Sequence, residues 1–228
     1  MEKQRPATGS RSGITLLLVD LDNTLFPTSA IPAHVVQPAI DALWAANTGS
    51  IAVEPELLQR AVNALWRIPF DEVVQEYSLP APHVAAWSQA ALHLEVTEPL
   101  QPYPDVAALA QMAIRRILVT TGHERFQRSK IAALGVAAMF ESIHIDALDK
   151  PHERKGKAMI FREILATHHL KPTEVAVVGD GRAEIIAGQS LGLTTVQVLR
   201  DGVVRIDEAT FHVRDFVEMS RVLRATTA

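Results

Sequence analysis

Hydrophobic positions fall into two regimes along this chain. Residues 14–19 form a continuous, partly β-branched apolar run that stops abruptly at Asp20, Leu21 and Asp22. A run of that length without alternation predicts a strand buried on both faces of a parallel sheet, its carboxyl end opening into a loop. From 27 to about 102 the strand pattern disappears. Apolar residues recur at three and four over 33–46, 54–66, 70–77 and 82–92, separated by breakers such as Asn47-Thr48-Gly49-Ser50 and Leu79-Pro80-Ala81-Pro82. The spacing predicts four helices, and so an all-helical insertion directly after the first strand. Beyond Leu100-Gln101-Pro102-Tyr103-Pro104-Asp105 a helix is expected over 106–113, followed by regular alternation. Strands are expected at 117–120, 142–145, 175–178 and 194–198, with helices at 124–134, 156–167 and 183–191 between them. A short strand at 211–213 and a helix at 217–223 close the chain. Strands separated by helices imply right-handed crossovers and a parallel α/β sheet. The expected organisation is a leader over 1–13, a core of 14–26 and 103–228, and a helical segment of 27–102.

Composition narrows the function classes. The 228 residues, 48% hydrophobic and 21% charged, suffice for one good core with a smaller one inserted. A net charge of −4 without a basic block gives no reason to expect a nucleic-acid or anionic-membrane partner. The absence of cysteine excludes disulfides, thiolate metal sites and cysteine nucleophiles together, and a cytoplasmic location is expected. Residues 1–13 are polar with no apolar h-region, which reads as a disordered leader rather than a signal peptide or anchor. No apolar run approaches the roughly 18 residues of a membrane helix. Oligomeric state has no signature in the sequence.

In a parallel sheet the residues just past each strand meet at one edge, so the chemistry there is read strand by strand. After the first strand, Asp20 and Asp22 can divide labour, Asp20 attacking an electrophile while Asp22, kept protonated by its neighbour's charge and its surroundings, serves as the acid. The second ends in Thr120-Thr121-Gly122, a hydroxyl and backbone amides able to hold an anion's oxygens, although a threonine there is more often a helix cap. The fourth ends in Gly179-Asp180-Gly181-Arg182-Ala183-Glu184. Glycine lets the backbone approach closely, and Asp180 and Glu184 join Asp20 in an oxygen-rich set suited to Mg²⁺. The plainer reading makes Asp180 a helix cap and Glu184 its solvated first turn. Lys150, Lys155 and Lys157 cluster near a helix start, where the dipole disfavours lysine, although a solvated face explains any two of them.

Taken in order, an acid pair, a threonine, a lysine and a second acid pair at successive strand ends resemble the haloacid dehalogenase-like (HAD) superfamily over about residues 14–198. Asp20-Leu21-Asp22-Asn23-Thr24 looks like its first motif, Thr120 its second, a lysine its third, and Gly179-Asp180 with Glu184 its fourth, where aspartate is the commoner last acid. Counting six residues back from Phe161 selects Lys155; Lys157 matches a shorter variant, and Lys150-Pro151 lies too far upstream. The resemblance implies a Rossmann-like core with the nucleophile strand central, and makes the helical insertion similar to a C1 cap. It also implies an Mg²⁺-dependent phosphatase that cleaves a small phosphorylated metabolite through an aspartyl-phosphate. In that scheme Asp20 is the nucleophile and Asp22 the acid and base, while Thr120 and Lys155 steady the phosphate charge. Thr24, Thr121 and Gly122 bind substrate, and the metal is held by Asp20, Asp180, Glu184 and Asp22, the last through its backbone carbonyl.

Rival readings are weighed on the same residues. Haloacid dehalogenases proper lack the second aspartate, which favours a phosphate over an alkyl halide. A mutase of the β-phosphoglucomutase kind shares every motif, whereas a non-catalytic binding protein on this fold usually loses one of the acids. A dinucleotide site fails because Glu184 stands where the third glycine belongs. His168 and His169, adjacent and near a helix end, more readily face the dipole or solvent than a metal. Leu-Asp-Asn-Thr-Leu-Phe-Pro resembles the opening of pyrimidine 5′-nucleotidases, and Pro102-Tyr103-Pro104 resembles phosphoglycolate phosphatases. Between residues 27 and 103 the only lysine or arginine residues are Arg60 and Arg67, which suits a small monophosphate rather than a polyanion. Trp44, Trp66 and Trp87 are candidates either for stacking on a ring or for packing the core.

Overall fold

The structure, a computed structural model, describes residues 13–225, so the expected leader lies, save Gly13, outside the described residues. In chain order β1 (Leu16–Val19) leads into four helices, α1 (Ala33–Ala46), α2 (Pro55–Ala64), α3 (Phe70–Tyr77) and α4 (Ala81–Ala91). Then follow α5 (Val106–Gln111), β2 (Arg115–Gly122), α6 (Glu124–Leu134), β3 (Ser142–Ala147), α7 (Lys157–Thr167), β4 (Val175–Gly179), α8 (Arg182–Ser190), β5 (Thr194–Val198), β6 (Phe211–Val213) and α9 (Phe216–Ala225). The strands form one parallel sheet in the order β3-β2-β1-β4-β5-β6, the α/β architecture the pattern predicts.

The unbroken apolar run of β1 follows from its central place. Leu17 and Val19 face a layer containing Leu109, Ile131 and Phe216, while Leu16 and Leu18 face Ile160, Phe161 and Ile164 of α7. Both faces are dry, so a polar residue at any of the four positions would lose water and gain nothing. Val19 pairs with Leu118 on one side and Val178 on the other. That register delivers Asp20, Thr120 and Asp180 to one edge of the sheet.

Strand β2 is longer than its apolar pattern suggests, because polar residues at both ends find partners. Arg116 donates to the carbonyls of Leu109, Met112, Ile114 and Met139, and Thr121 and Gly122 continue the ladder against Asp146 and Ala147. Helix α2 ends at Ala64 rather than 66, where the amides of Arg67 and Ile68 both turn back to Ala64's carbonyl ahead of Pro69.

Among the described residues, 27–102 contain helices and loops and no strand. Leu43, Leu58, Ala61, Val73 and Trp87 give these helices an apolar cluster of their own, which meets the α/β part at Phe126 and Leu148. The chain enters and leaves this segment at one place, where Tyr103 N–H donates to Leu25 O at 2.8 Å and Asp22 forms a bridge with Phe26. Arg200 pins the junction. Its guanidinium donates to both oxygens of Asp105 and to Thr24 O, all at 3.0 Å, and lies 4.0 Å from the centre of the Tyr103 ring. No helix of the described residues is long and apolar enough to cross a membrane.

Helix α8 sits close on the sheet through Gly188, where a Cβ would lie 2.8 Å from Thr195 Cγ2 and 2.9 Å from Val177 Cγ2. Both neighbours are β-branched strand residues with little rotamer freedom. Gly188→Ala should therefore destabilise the protein by about 1–3 kcal/mol in urea unfolding, overpacking outweighing the gain of about 1 kcal/mol in helix propensity. An unchanged or higher midpoint would show that the helix shifts freely on the sheet.

Candidate active site

The edge at the ends of β1, β2 and β4 gathers titratable groups in two separate arms. On the first, Lys157 Nζ lies 2.7 Å from Asp20 Oδ1 and 2.8 Å from Glu184 Oε2, all three side chains at most 9% exposed. Glu184 Oε1 also accepts the Gly181 N–H at 2.6 Å. Gly179 makes this possible, since a Cβ there would strike the Glu184 carboxylate. Asp180 completes the arm, its Oδ1 accepting a hydrogen bond from Thr24 Oγ1 at 3.0 Å. Asp20, Asp180 and Glu184 each offer an oxygen, and the three atoms lie within 4.8 Å of one another.

The second arm holds Asp22. Lys130 Nζ lies 2.8 and 2.7 Å from its two oxygens, and Gln127 Nε2 donates to Oδ2 at 3.0 Å. Gln127 also donates to Thr120 Oγ1 at 2.6 Å, so one buried amide orients the threonine and the aspartate together. Gly122 leaves room for it, because a Cβ at that position would fall 2.8 Å from the Gln127 side chain. Asp22 is thus paired with a buried lysine and a buried amide, in surroundings different from those of Asp20.

Burial dominates the electrostatics. It pushes the Asp20 carboxyl up to about 7, Lys157 pulling it down while Glu184 and Asp22 add to the rise. Asp180 is raised well above the usual carboxylate range by burial and by the charges of Glu184 and Asp20. Burial works against Glu184 too, but Lys157 and the backbone hydrogen bonds outweigh it and hold this carboxyl low. Burial would also lower Lys157, yet its two acidic neighbours keep it firmly protonated. Three carboxylates thus face one ammonium. A donor set of hard oxygens with a deficit of positive charge fits a hard divalent cation, and offers nothing to a soft one.

Asp20, Asp22, Thr120, Thr121, Gly122, Asp180 and Glu184 line one cavity, as the strand-end reading expected. Two expectations need correction. Lys155 is not at the site: its ammonium pairs with Glu163 at 2.7 Å, half exposed. Asp146 Oδ1 accepts the N–H groups of both Lys155 and Gly156, fixing a loop in which Lys155 points outward, and Gly156 then turns at φ 77°. Lys157, the first residue of α7, leans back past the helix start, as helical side chains do, and so reaches the sheet edge. Lys150 pairs with Glu124 at the surface. The second correction is Thr24, which is fully buried, lies outside the cavity lining and positions Asp180 instead of touching a ligand. The carboxylate of Asp22 likewise stands apart from the three clustered acids.

Gln127 and Lys130 were missed by sequence reasoning. The available signal was their place on α6: they share its buried face with Ile131 and Leu134, where a surface helix normally carries apolar residues. A buried lysine and glutamine on such a stripe require partners.

A family model described as haloacid dehalogenase-like hydrolase matches residues 14–192. No match is found among curated proteins. Solved structures with a similar fold include YfnB of Bacillus subtilis bound to magnesium, at 19% identity and TM-score 0.61, the match covering 92% of this chain and 99% of that one. A HAD phosphatase from Thermococcus onnurineus matches at 18% and 0.61, covering 92% and 98%. CbbY from Rhodobacter sphaeroides, in complex with phosphate, matches at 19% and 0.62, covering 90% and 96%. At these identities the likeness speaks for the fold, and the residues above speak for the site.

The two lysines should separate in stability. Lys157→Ala leaves two buried carboxylates without their cation and should cost about 3–5 kcal/mol in urea unfolding at neutral pH. Lys155→Ala removes a solvent-exposed pair and should cost at most about 1 kcal/mol. Equal losses would mean that the buried ion pairs do not hold in solution.

Proposed function

Because the chain belongs to the haloacid dehalogenase-like hydrolases, a family whose model spans residues 14–192, we propose that it hydrolyses a small phosphate monoester through an aspartyl-phosphate on Asp20. The observation that carries this reading is the separation of the two aspartates. Asp20 shares Lys157 with Glu184, whereas Asp22 is held by Lys130 and Gln127. Two chemically distinct carboxylates, two residues apart, suit a nucleophile beside a proton carrier. Displacement of a halide needs no proton on the leaving group and gives the second acid no task.

A divalent cation such as Mg²⁺, which YfnB binds, would be held here by Asp20 and Asp180 with Glu184 beside them, and when bound supplies charge neutralisation at the phosphate. The remaining work falls to the chain's own residues. An Asp20 oxygen forms a bond to phosphorus as the ester P–O bond breaks, and the departing oxygen takes a proton from Asp22. Asp22, again a carboxylate, then removes a proton from water as that water attacks phosphorus and releases phosphate from Asp20. The ion pair with Lys130 presents Asp22 in the form this second step requires, so the acid half of its task calls for a proton taken up with the substrate. Lys157 offsets the charge of the transferring group, and Thr120, Thr121 and Gly122, which line the same cavity, supply donors to its oxygens in this reading.

We read residues 27–102 as a helical cap over a core of 14–26 and 103–228. Contacts that join it to the core include Asn23 Nδ2 donating to Trp66 O at 2.9 Å, Arg154 paired with Asp71 at 2.6 Å, Arg67 donating to Gly202 O, and the Arg125–Glu95 pair. A closed cap excludes competing water from the first step.

The test is turnover of p-nitrophenyl phosphate and a panel of alkyl phosphates with Mg²⁺, lost on chelation. Asp20→Asn should abolish activity while the fold persists. Asp22→Asn should slow alkyl phosphates far more than p-nitrophenyl phosphate in the first step, because p-nitrophenolate leaves without a proton. Lys157→Ala should lower kcat by on the order of 10² or more, and Lys155→Ala should do little. Near wild-type rates in Asp20→Asn, in material free of contaminating phosphatase, would remove the proposal.

A further inference from the structure

We infer, resting on the phosphatase reading, that the cavity selects a phosphate ester whose alcohol is largely apolar and carries a cationic or hydrogen-bond-donating group, and that Glu72 recognises that group. Helix α3 opens with Phe70-Asp71-Glu72. Acids in a first turn suit the helix dipole, and Asp71 meets that description while also pairing with Arg154. Glu72 differs. It is half-buried and lines the cavity, and among the described residues it makes no ion pair and no side-chain hydrogen bond. Burial and the charges of Asp71 and Glu184 push its pKa up, with Lys157 and Arg154 offsetting part of this. A positive group arriving beside Glu72 would relieve that unfavourable setting.

The rest of the wall agrees. Trp66, Phe70, Trp87 and Phe126 line the same cavity, Phe70 and Trp87 stacked at 4.9 Å, and aromatic faces accept both an apolar body and an alkylammonium. The basic side chains bordering the cavity are already engaged. Lys157 serves Asp20 and Glu184, Lys130 serves Asp22, Arg182 serves Glu208, and the exposed Arg67 donates to the Gly202 carbonyl. His123 is buried, and that burial pushes its pKa down, with Lys130 adding to the fall and Asp149 opposing it. A carboxylate or second phosphate on the alcohol would therefore face Glu72, with Arg67, held by a neutral carbonyl and paired with no acid among the described residues, as the cation left to oppose that repulsion. Phosphoglycolate and sugar bisphosphates fit this wall poorly.

Three aryl phosphates with nearly the same leaving oxygen isolate the effect: 4-(2-aminoethyl)phenyl, 4-ethylphenyl and 4-(2-carboxyethyl)phenyl phosphate. For the wild type, kcat/KM should be highest for the amine, by roughly tenfold over the ethyl compound, and lowest for the carboxylate. Glu72→Gln, which keeps the shape and removes the charge, should bring the amine-to-ethyl ratio close to one, and Glu72→Lys should invert the order of amine and carboxylate. Turnover without charge preference, a preference for the carboxylate, or a ratio that survives in Glu72→Gln would overturn this inference and leave the phosphatase reading standing. No turnover of these three or of p-nitrophenyl phosphate with Mg²⁺ would instead take down that reading, and the inference with it.

Discussion

The ammonium of Lys157, shared between Asp20 and Glu184, is the contact on which the rest of the site depends. The ends of β1 and β4 and the start of α8 bring three carboxylates together, two buried and one partly so, and like charges so placed repel strongly where water screens them weakly. One buried cation makes the arrangement tolerable without making it neutral. The fold supplies that cation from a fourth element, α7, whose first residue stands just across the same edge. The central position of β1 then acquires a meaning beyond packing. A strand flanked on both sides is the one place from which an acid can meet partners from β2, β4 and α7 at once.

The second arm does a different job. Gln127 and Lys130 project from the buried face of α6 and hold Asp22 away from the clustered acids, while Gln127 also fixes Thr120. Two aspartates separated by one residue would otherwise share an environment. Their difference arises from which helix each meets, α7 or α6, and both helices are set by the sheet.

Much of this was legible in the chain. The apolar run ending at Asp20, the periodicity of the helices and the order of strand ends carried the α/β fold and the acids, because burial on both faces and helical spacing leave direct marks on the pattern. Other features left weaker marks. Counting back from Phe161 chose Lys155, but direction decides between lysines two residues apart, and Asp146 and the turn at Gly156 set that direction from outside the counted segment. Thr24 looked like a ligand contact because it follows the acids, yet the chain turns there and aims its hydroxyl at Asp180. Nothing in the sequence marked Lys130 and Gln127 as site residues, since their partner lies more than a hundred residues away. The polar ends of β2 were hidden for the same reason: their partners are carbonyls and a neighbouring strand, which periodicity does not record.

The junction at Leu25 and Tyr103 has a consequence for how such a chain can change. Both ends of the helical segment are anchored side by side, by one backbone hydrogen bond and by Arg200 clasping Thr24 and Asp105. Everything between is topologically a single long loop. Lengthening it, shortening it or replacing it with another compact insert disturbs no strand pairing and leaves the acids of the sheet edge on their strands, so this part of the cavity wall is free to be rewritten by recombination at two neighbouring points. The acids at the strand ends stay under the separate constraint of the sheet.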